Sequence, residues 1–287
     1  MRQGRGEESQ GMQRVFRGLA AQATAVARTI YRHARRRVGA ARIRQVRRTV
    51  AKGYALANKV AVITGASRGI GLAIATAFAR AGAHCILVDI DRGAGMVAVN
   101  DLAAQGINVE LAIADVSDVA QVRKLALEIS QRHARVDILV NNAGVQLDDD
   151  LRASTVDEAV VQRTLAVNLF GAMHACSAFA PFLPAGGRII NVSSTRGQLS
   201  QRSDGCTPAY RVSKAALNSY TQSLAADLAP RGVMVDSFHP GWVRTAIGGP
   251  NAKTAPEDAT DTAFFLATRL PTEATGLFWY DCQTIKW

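Results

Sequence analysis

Tyr210 and Lys214 stand four residues apart. That is about one helical turn, so in a helix their side chains share a face. A free phenol has a pKa of about 10, too high for a good base at neutral pH. A neighbouring ammonium favours the phenolate and lowers that value. Ser194 precedes Tyr210 by sixteen residues and ends an apolar, β-rich run. Its hydroxyl suits an oxygen on which negative charge develops. Asn168 falls inside a helical pattern, where Asn is a poor choice for stability. A kink there with a bound water would connect Lys214 to solvent. These four residues suit proton transfer at the oxygen of a carbonyl or alcohol. A Tyr-x-x-x-Lys pair alone also occurs on ordinary surface helices, so its company decides the reading.

That company is a glycine loop, Thr64-Gly65-Ala66-Ser67-Arg68-Gly69-Ile70-Gly71, set between a strand pattern and a helix pattern. Gly65 permits a tight turn, and Gly69 and Gly71 let backbone N–H groups and the helix start approach a pyrophosphate. Asp89 closes the next strand pattern, eighteen residues after Gly71. A carboxylate there takes both hydroxyls of an adenine ribose and repels a 2′-phosphate. Ile90 offers that phosphate no base, whereas Arg68 inside the loop is able to pair with it. The balance favours NAD and leaves NADP open. Asp115-Val116 ends the third strand pattern, placed to touch the adenine or to cap the following helix. Asn141-Asn142-Ala143-Gly144 ends the fourth, with amides that bridge strands or hold the ribose and with small residues that leave room for a cofactor. Taken in this order, the motifs point to hydride transfer to or from a carbonyl carbon.

The elements needed to position these residues are legible. Apolar runs at 60–64, 85–88, 108–113, 136–140, 188–192, 233–238 and 276–280 alternate with helical stretches at 70–81, 94–105, 116–134, 156–182, 209–228 and 256–267. Near-continuous apolar strands separated by helices predict a parallel sheet covered on both faces. Right-handed crossovers make it a doubly wound, seven-stranded α/β domain of Rossmann type, with ligands at the strand C-termini. The 287 residues, 48% of them hydrophobic, suit one such domain.

The stretch 59–287 resembles the short-chain dehydrogenase/reductase family, in particular its carbonyl-reductase-like branch. The text that carries the resemblance is Asn191-Val-Ser-Ser-Thr-Arg-Gly-Gln-Leu, Thr207-Pro-Ala-Tyr-Arg-Val-Ser-Lys and Pro240-Gly-Trp-Val-Arg-Thr-Ala-Ile-Gly-Gly-Pro-Asn. The resemblance implies a catalytic tetrad of Asn168, Ser194, Tyr210 and Lys214. It also implies a nicotinamide cofactor on Gly65, Ser67, Arg68, Gly69, Ile70, Gly71, Asp89, Asp115, Val116, Asn142, Ala143 and Gly144. Tyr210, Lys214, Pro240, Gly241, Val243 and Thr245 complete that set, with the carboxamide held partly by the backbone of Val243. The substrate is a small carbonyl compound or alcohol of unread identity. Residues 198–207 lengthen the loop beside it, and 245–254 form a loop that closes over it. Trp242, Trp279 and Tyr280 are placed either to wall the substrate site or to pack the core.

The charge of +11 is unevenly spread. Residues 1–58 carry fourteen Lys/Arg against two acids, a balance of +12, so 59–287 sum to −1. This basic extension is predicted to be an amphipathic helix or disordered. It marks a possible contact with an anionic membrane or polymer, or an organellar transit segment. The four cysteines have no C-x-x-C pair and no histidine cluster beside them, which predicts a reduced, cytoplasmic chain without a structural metal. No run approaches the length of a membrane span. A homo-oligomer is left open. So is a catalytically silent nucleotide sensor on the same fold, against which the complete tetrad argues.

Overall fold

The computed structural model describes residues 55–270 and 274–287. Residues 1–54, with the helix-or-disorder reading of the basic extension, lie outside them. The apolar runs form strands because both of their faces are covered. Strands β1 (Val60–Thr64), β4 (Ile138–Asn141), β5 (Arg188–Val192) and β6 (Met234–Phe238) are buried at every residue. With β2 (His84–Asp89), β3 (Glu110–Ile113) and β7 (Phe278–Tyr280) they make the seven expected strands, all paired in parallel. An eighth, β8 (Gln283–Ile285), adds antiparallel to β7, in the order β3-β2-β1-β4-β5-β6-β7-β8. Its two-residue turn holds Asp281 and Cys282 at φ of 50° and 55°. Positive φ at both central residues is what a tight hairpin of this twist requires. Asp-Cys is not the usual sequence signal for it, so the strand escaped the sequence pattern.

Among the described residues seven α-helices cover the sheet: α1 (Gly69–Arg80), α2 (Arg92–Ala104), α3 (Val119–His133), α4 (Glu158–Leu165), α5 (Ala172–Phe179), α6 (Pro208–Leu228) and α7 (Asp261–Thr268). Strand alternation divides the core in two. Ala61 and Ile63 face Ile74 and Phe78 of α1 and Phe264 of α7. Val60 and Val62 face the layer of Leu125 and Ile129 of α3, Phe179 of α5 and Leu228 of α6. The helix expected over 156–182 is interrupted. Between α4 and α5 the chain makes a π-helical segment, Ala166–Gly171, and it ends in a 3₁₀ turn, Ala180–Phe182. Glu158–Phe182 is long and apolar enough to cross a membrane, but Ala175, Cys176 and Phe179 bury in the second core.

Strand order reverses between β1 and β4, which opens a crevice at their C-terminal ends. A buried polar ladder fixes the elements beneath it. Asn141 Nδ2 donates to Asn191 Oδ1 at 2.8 Å, and Asn191 Nδ2 donates to Thr221 Oγ1 at 2.9 Å. The Thr221 and Ser237 hydroxyls lie 2.7 Å apart. The ladder joins β4, β5, α6 and β6, so the helix carrying Tyr210 is registered against the sheet. Both tandem asparagines bridge strands: Asn141 ties β4 to β5, and Asn142 ties the end of β4 to the end of β1.

Candidate active site

The crevice is a cleft of about 1070 Å³. Of the expected site residues, all but Ser67, Gly71 and Asn168 line it, and those three stand buried behind its wall. At the dinucleotide end Gly65 turns the chain at φ +62°. A Cβ on Gly71 would lie 2.3 Å from the Gly65 carbonyl oxygen and 2.5 Å from Asn142 Nδ2, so only glycine lets α1 start this close to the loop. Asn142 Nδ2 donates to the carbonyls of Thr64 and Gly65, both at 2.9 Å. Thr64 Oγ1 accepts from the amides of Asn142 and Ala143 at 3.0 and 3.1 Å. Thr64 was not foreseen as a site residue, yet it ties the glycine loop to the end of β4.

The loop fits an anionic dinucleotide. Helices α2, α3 and α4 are each capped by an aspartate side chain, from Asp91, Asp118 and Asp157. The first turn of α1 has no side-chain cap and no acid. Its N–H groups and positive dipole end therefore stay open to a phosphate. Ser67 Oγ is buried and has no hydrogen-bond partner among the described residues. Both Asp89 oxygens accept backbone N–H groups, Oδ2 from Ser67 at 3.0 Å and Oδ1 from Asp91 at 3.1 Å. These bonds hold the carboxylate at the crevice rim. Ile90 beside it is 64% exposed, and Arg68 pairs with Asp91 at 3.7 Å. Asp115 lines the cleft but does not cap α3. Its Oδ1 accepts from Ser117 N and Oγ at 2.8 and 2.7 Å, and Asp118 is the cap. The capping half of that expectation is corrected, because the helix begins one turn later than its apolar pattern.

At the other end, Tyr210 and Lys214 lie on one face of α6, and both are buried. Burial pushes the Tyr210 phenol up to about 12, against the opposing effects of a hydrogen bond with Ser194 and the charge of Arg196. Burial likewise pushes the Lys214 ammonium down to about 8. The ammonium lies 5.6 Å from the phenol ring centroid and donates to the Val192 carbonyl at 2.8 Å. The sequence led us to expect a phenol pKa lowered by Lys214. Desolvation outweighs every charge nearby, and the phenol is neutral across the physiological range. Asn168 sits within the π-helical segment. Its Oδ1 accepts from Val145 N at 2.7 Å, and its Nδ2 donates to Val145 O at 2.8 Å and to Ser213 Oγ at 3.0 Å. A Cβ on Gly144 would lie 3.3 Å from Asn168 Oδ1 and 3.6 Å from Lys214 Nζ, so both border the same small space.

Three further residues shape this end. Asp148 is fully buried, and its Oδ2 accepts from the Ala209 and Tyr210 amides at 2.7 and 3.2 Å. It caps α6 from another loop, in place of Thr207, whose φ of 52° leaves the helix without a side-chain cap of its own. A Cβ on Gly197 would come within 2.6 Å of the Lys214 carbonyl carbon, so this glycine lets the Ser194 loop press against α6. Arg196 lines the cleft beside Ser194. The aromatic residues separate: Trp242 lines the cleft, Trp279 is buried in the core, and Tyr280 packs against His239 with ring centroids 5.1 Å apart. Thr245 to Gly248 of the expected closing loop line the cleft as well. His239, also lining it, is held neutral by burial, with a pKa near 4.

Away from the cleft, at the N-terminal ends of β2 and β3, His84 Nε2 and His133 Nε2 approach Glu110 Oε1 at 2.9 and 3.1 Å. Arg132 pairs with the other carboxylate oxygen at 3.3 Å. No local spacing announced this cluster, which the fold assembles from β2, β3 and α3.

The family model for short chain dehydrogenases matches residues 59–256. The chain belongs to the short-chain dehydrogenase/reductase family. It is 35% identical over 226 residues to the oxidoreductase UcpA of Escherichia coli, covering 75% of this chain and 81% of that one. It is 38% identical over 191 residues to galactitol 2-dehydrogenase of Agrobacterium fabrum, covering 66% and 72%. A short chain dehydrogenase from Burkholderia cenocepacia, solved in complex with NADP, superposes with a TM-score of 0.71 at 29% identity over 78% of this chain and 96% of that one. This dehydrogenase/reductase is therefore an NAD(P)-dependent oxidoreductase, and its cleft is the one that the glycine loop and the tyrosine–lysine helix enclose.

Proposed function

We propose that this dehydrogenase/reductase interconverts a carbonyl compound and a secondary alcohol, with Tyr210 as general acid and base. The observation that carries the reading is the hydrogen-bonded Ser194–Tyr210 pair, buried at one end of the cleft whose other end is the open start of α1. The nicotinamide, when bound, supplies or accepts the hydride. The open start of α1 and the loop from Gly65 to Gly71 would hold the pyrophosphate, Asp89 the adenosine ribose, and Pro240, Gly241, Val243 and Thr245 the nicotinamide end. Asp89 favours NAD, since a 2′-phosphate beside a carboxylate in a partly desolvated site is strongly disfavoured.

In the direction of reduction, Ser194 donates a hydrogen bond to the substrate oxygen, and Tyr210 delivers the proton. A neutral phenol is the correct form for that step, and burial supplies it. Lys214 and Asn168, bordering one space behind Gly144, are placed to return a proton to Tyr210. The test is Tyr210→Phe. It keeps the ring packing and removes the proton donor, so turnover should fall by about 10²–10⁴ while NADH titration by fluorescence stays near wild type. Wild-type turnover in the variant would remove Tyr210 from the chemistry. NADH binding with no turnover of any ketone or alcohol by the wild type would favour a nucleotide sensor.

A further inference from the structure

The cleft is electrostatically lopsided. Its lining acids are Asp89 and Asp115, at the ends of β2 and β3, where the adenosine half belongs. Among the described residues the lining around Ser194 and Tyr210 holds no carboxylate, but it does hold Arg196 and Arg244. Arg244 spends its Nη1 on the carbonyls of Ala252 and Lys253, both at 3.2 Å. Arg196 is different. Its Nη1 donates to Thr207 Oγ1 at 3.1 Å and lies 3.4 Å from Asp204 Oδ2. Its Nε and Nη2 have no partner among the described residues. Asp204 is a poor neutraliser because it is shared: Arg211 Nη2 lies 3.2 Å from Oδ1, which also accepts from Cys206 N at 3.0 Å. Arg152 donates to the Asp204 backbone carbonyl at 3.0 Å. Three arginines thus surround one exposed acid. The acids of the facing loop, Asp149 and Asp150, are exposed and do not line the cleft, and Asp149 accepts from Gln146.

The Arg196 backbone is fixed as well. Its N–H donates to Ser194 Oγ at 3.1 Å, and its carbonyl accepts from Arg211 Nη1 at 3.3 Å. The residue is therefore fixed two positions along the chain from the hydroxyl that would meet the substrate oxygen, and the bond to Thr207 anchors its guanidinium. An arginine with spare planar donors, two residues from a carbonyl-binding serine, is suited to a carboxylate.

Resting on the assignment of Ser194 and Tyr210 to the substrate oxygen, we propose that Arg196 forms a carboxylate subsite. The preferred substrates are then oxo acids, or the corresponding hydroxy acids, with the carboxylate a few bonds from the reacting carbon. A neutral ketone of the same skeleton leaves the guanidinium without its partner and reacts more slowly.

The experiment uses matched pairs with the full-length enzyme and its preferred nicotinamide cofactor: benzoylformate against its methyl ester, and 4-oxopentanoate against its methyl ester. For at least one pair the wild-type acid-to-ester ratio of kcat/KM should exceed about 10. Arg196→Met should lower that ratio by about 10- to 100-fold, and Arg196→Lys should keep part of it. A merely structural role for Arg196 would slow acid and ester alike and leave the ratio in place. Ratios at or below one in the wild type, or ratios untouched by Arg196→Met, would overturn the subsite. Failure of all four compounds to react counts against the carbonyl reading instead. In that event, calorimetric titration of the enzyme–cofactor complex with benzoate and benzamide still decides the subsite. Tighter binding of benzoate, lost in Arg196→Met, supports it; equal binding of the two refutes it.

Discussion

Burial drives the two central side chains in opposite directions, and both directions have consequences. The Tyr210 phenol is held near 12 and stays protonated, while Lys214 is held near 8 and loses its charge just above neutrality. If the ammonium is needed to resupply Tyr210, kcat/KM for reduction should fall as pH rises through about 8, since this parameter reports groups of the free enzyme. Lys214→Met should abolish that limb along with most of the activity; a residual rate that kept the same limb would exclude Lys214 as its source. The same shift bears on stability. Between about 8 and the ordinary value of 10.5 the unfolded chain binds a proton that the folded chain does not. Stability therefore rises with pH across that window, and below it the buried charge costs about 3 kcal/mol. Lys214→Met should accordingly be as stable as wild type or more stable at pH 7 in thermal unfolding, despite being inactive. A large loss of Tm would show that the bond to Val192 outweighs the desolvation. At the other end of the cleft, Asp89→Ala with Ile90→Arg should shift relative kcat/KM from NAD toward NADP by about 1–3 kcal/mol, because it replaces a repulsive carboxylate with a phosphate partner. A wild type already preferring NADPH would transfer the decisive role to Arg68.

At the scale of elements, α6 needs an N-cap, and its own sequence does not provide one. Asp148 supplies it from the loop after β4, so the pose of Tyr210 depends on a residue 62 positions away. Asp148→Ala removes the acceptor for two buried amides and should cost about 1–3 kcal/mol, with a fall in kcat because the start of α6 loosens. Asp148→Asn keeps an acceptor oxygen and should restore most of both; equal damage from the two variants would place the effect in the charge of Asp148. This contact also shows where the sequence becomes opaque. Strands β1 and β5 were legible to the residue, since an apolar run bounded by loop residues has few other readings. The glycine loop and the Tyr210–Lys214 pair were legible as patterns because their spacing is local or carried by one helix, whereas Asn168 and Ser194 joined them as a tetrad only through the family resemblance. Asp148 is one acid among three in a row, and Arg196 and Gly197 entered only within the stretch from Asn191 that carries the resemblance, with no role of their own. Their importance comes from which distant backbone the fold sets against them. The π-helical segment was legible only as a kink at Asn168, and β8 was hidden by its unusual turn pair.

Across the whole molecule, the positive charge is concentrated at one end of the sequence. The excess of +12 lies in residues 1–58, while the sheet begins at Val60. Just ahead of it, Leu56 is buried and donates its N–H to the Ala81 carbonyl at 2.9 Å, so the chain is docked on the end of α1 before the first strand starts. A cut that spares this contact leaves every described strand and both described cores in place. Deleting residues 1–52 should therefore leave specific activity and Tm near wild type. The whole +12 goes with the deletion, since all fourteen cations and both acids lie within residues 1–52. If the extension serves to hold the enzyme on an anionic surface, full-length protein should sediment with anionic vesicles at low salt. It should be released as the Debye length shrinks to about 10 Å near 0.1 M and below, whereas the truncated form should stay in the supernatant throughout. A truncated enzyme that misfolds would make the extension part of the domain. Full-length protein that ignores anionic vesicles at low salt would remove the membrane contact and leave transit as the role to test, by following the extension fused to a reporter.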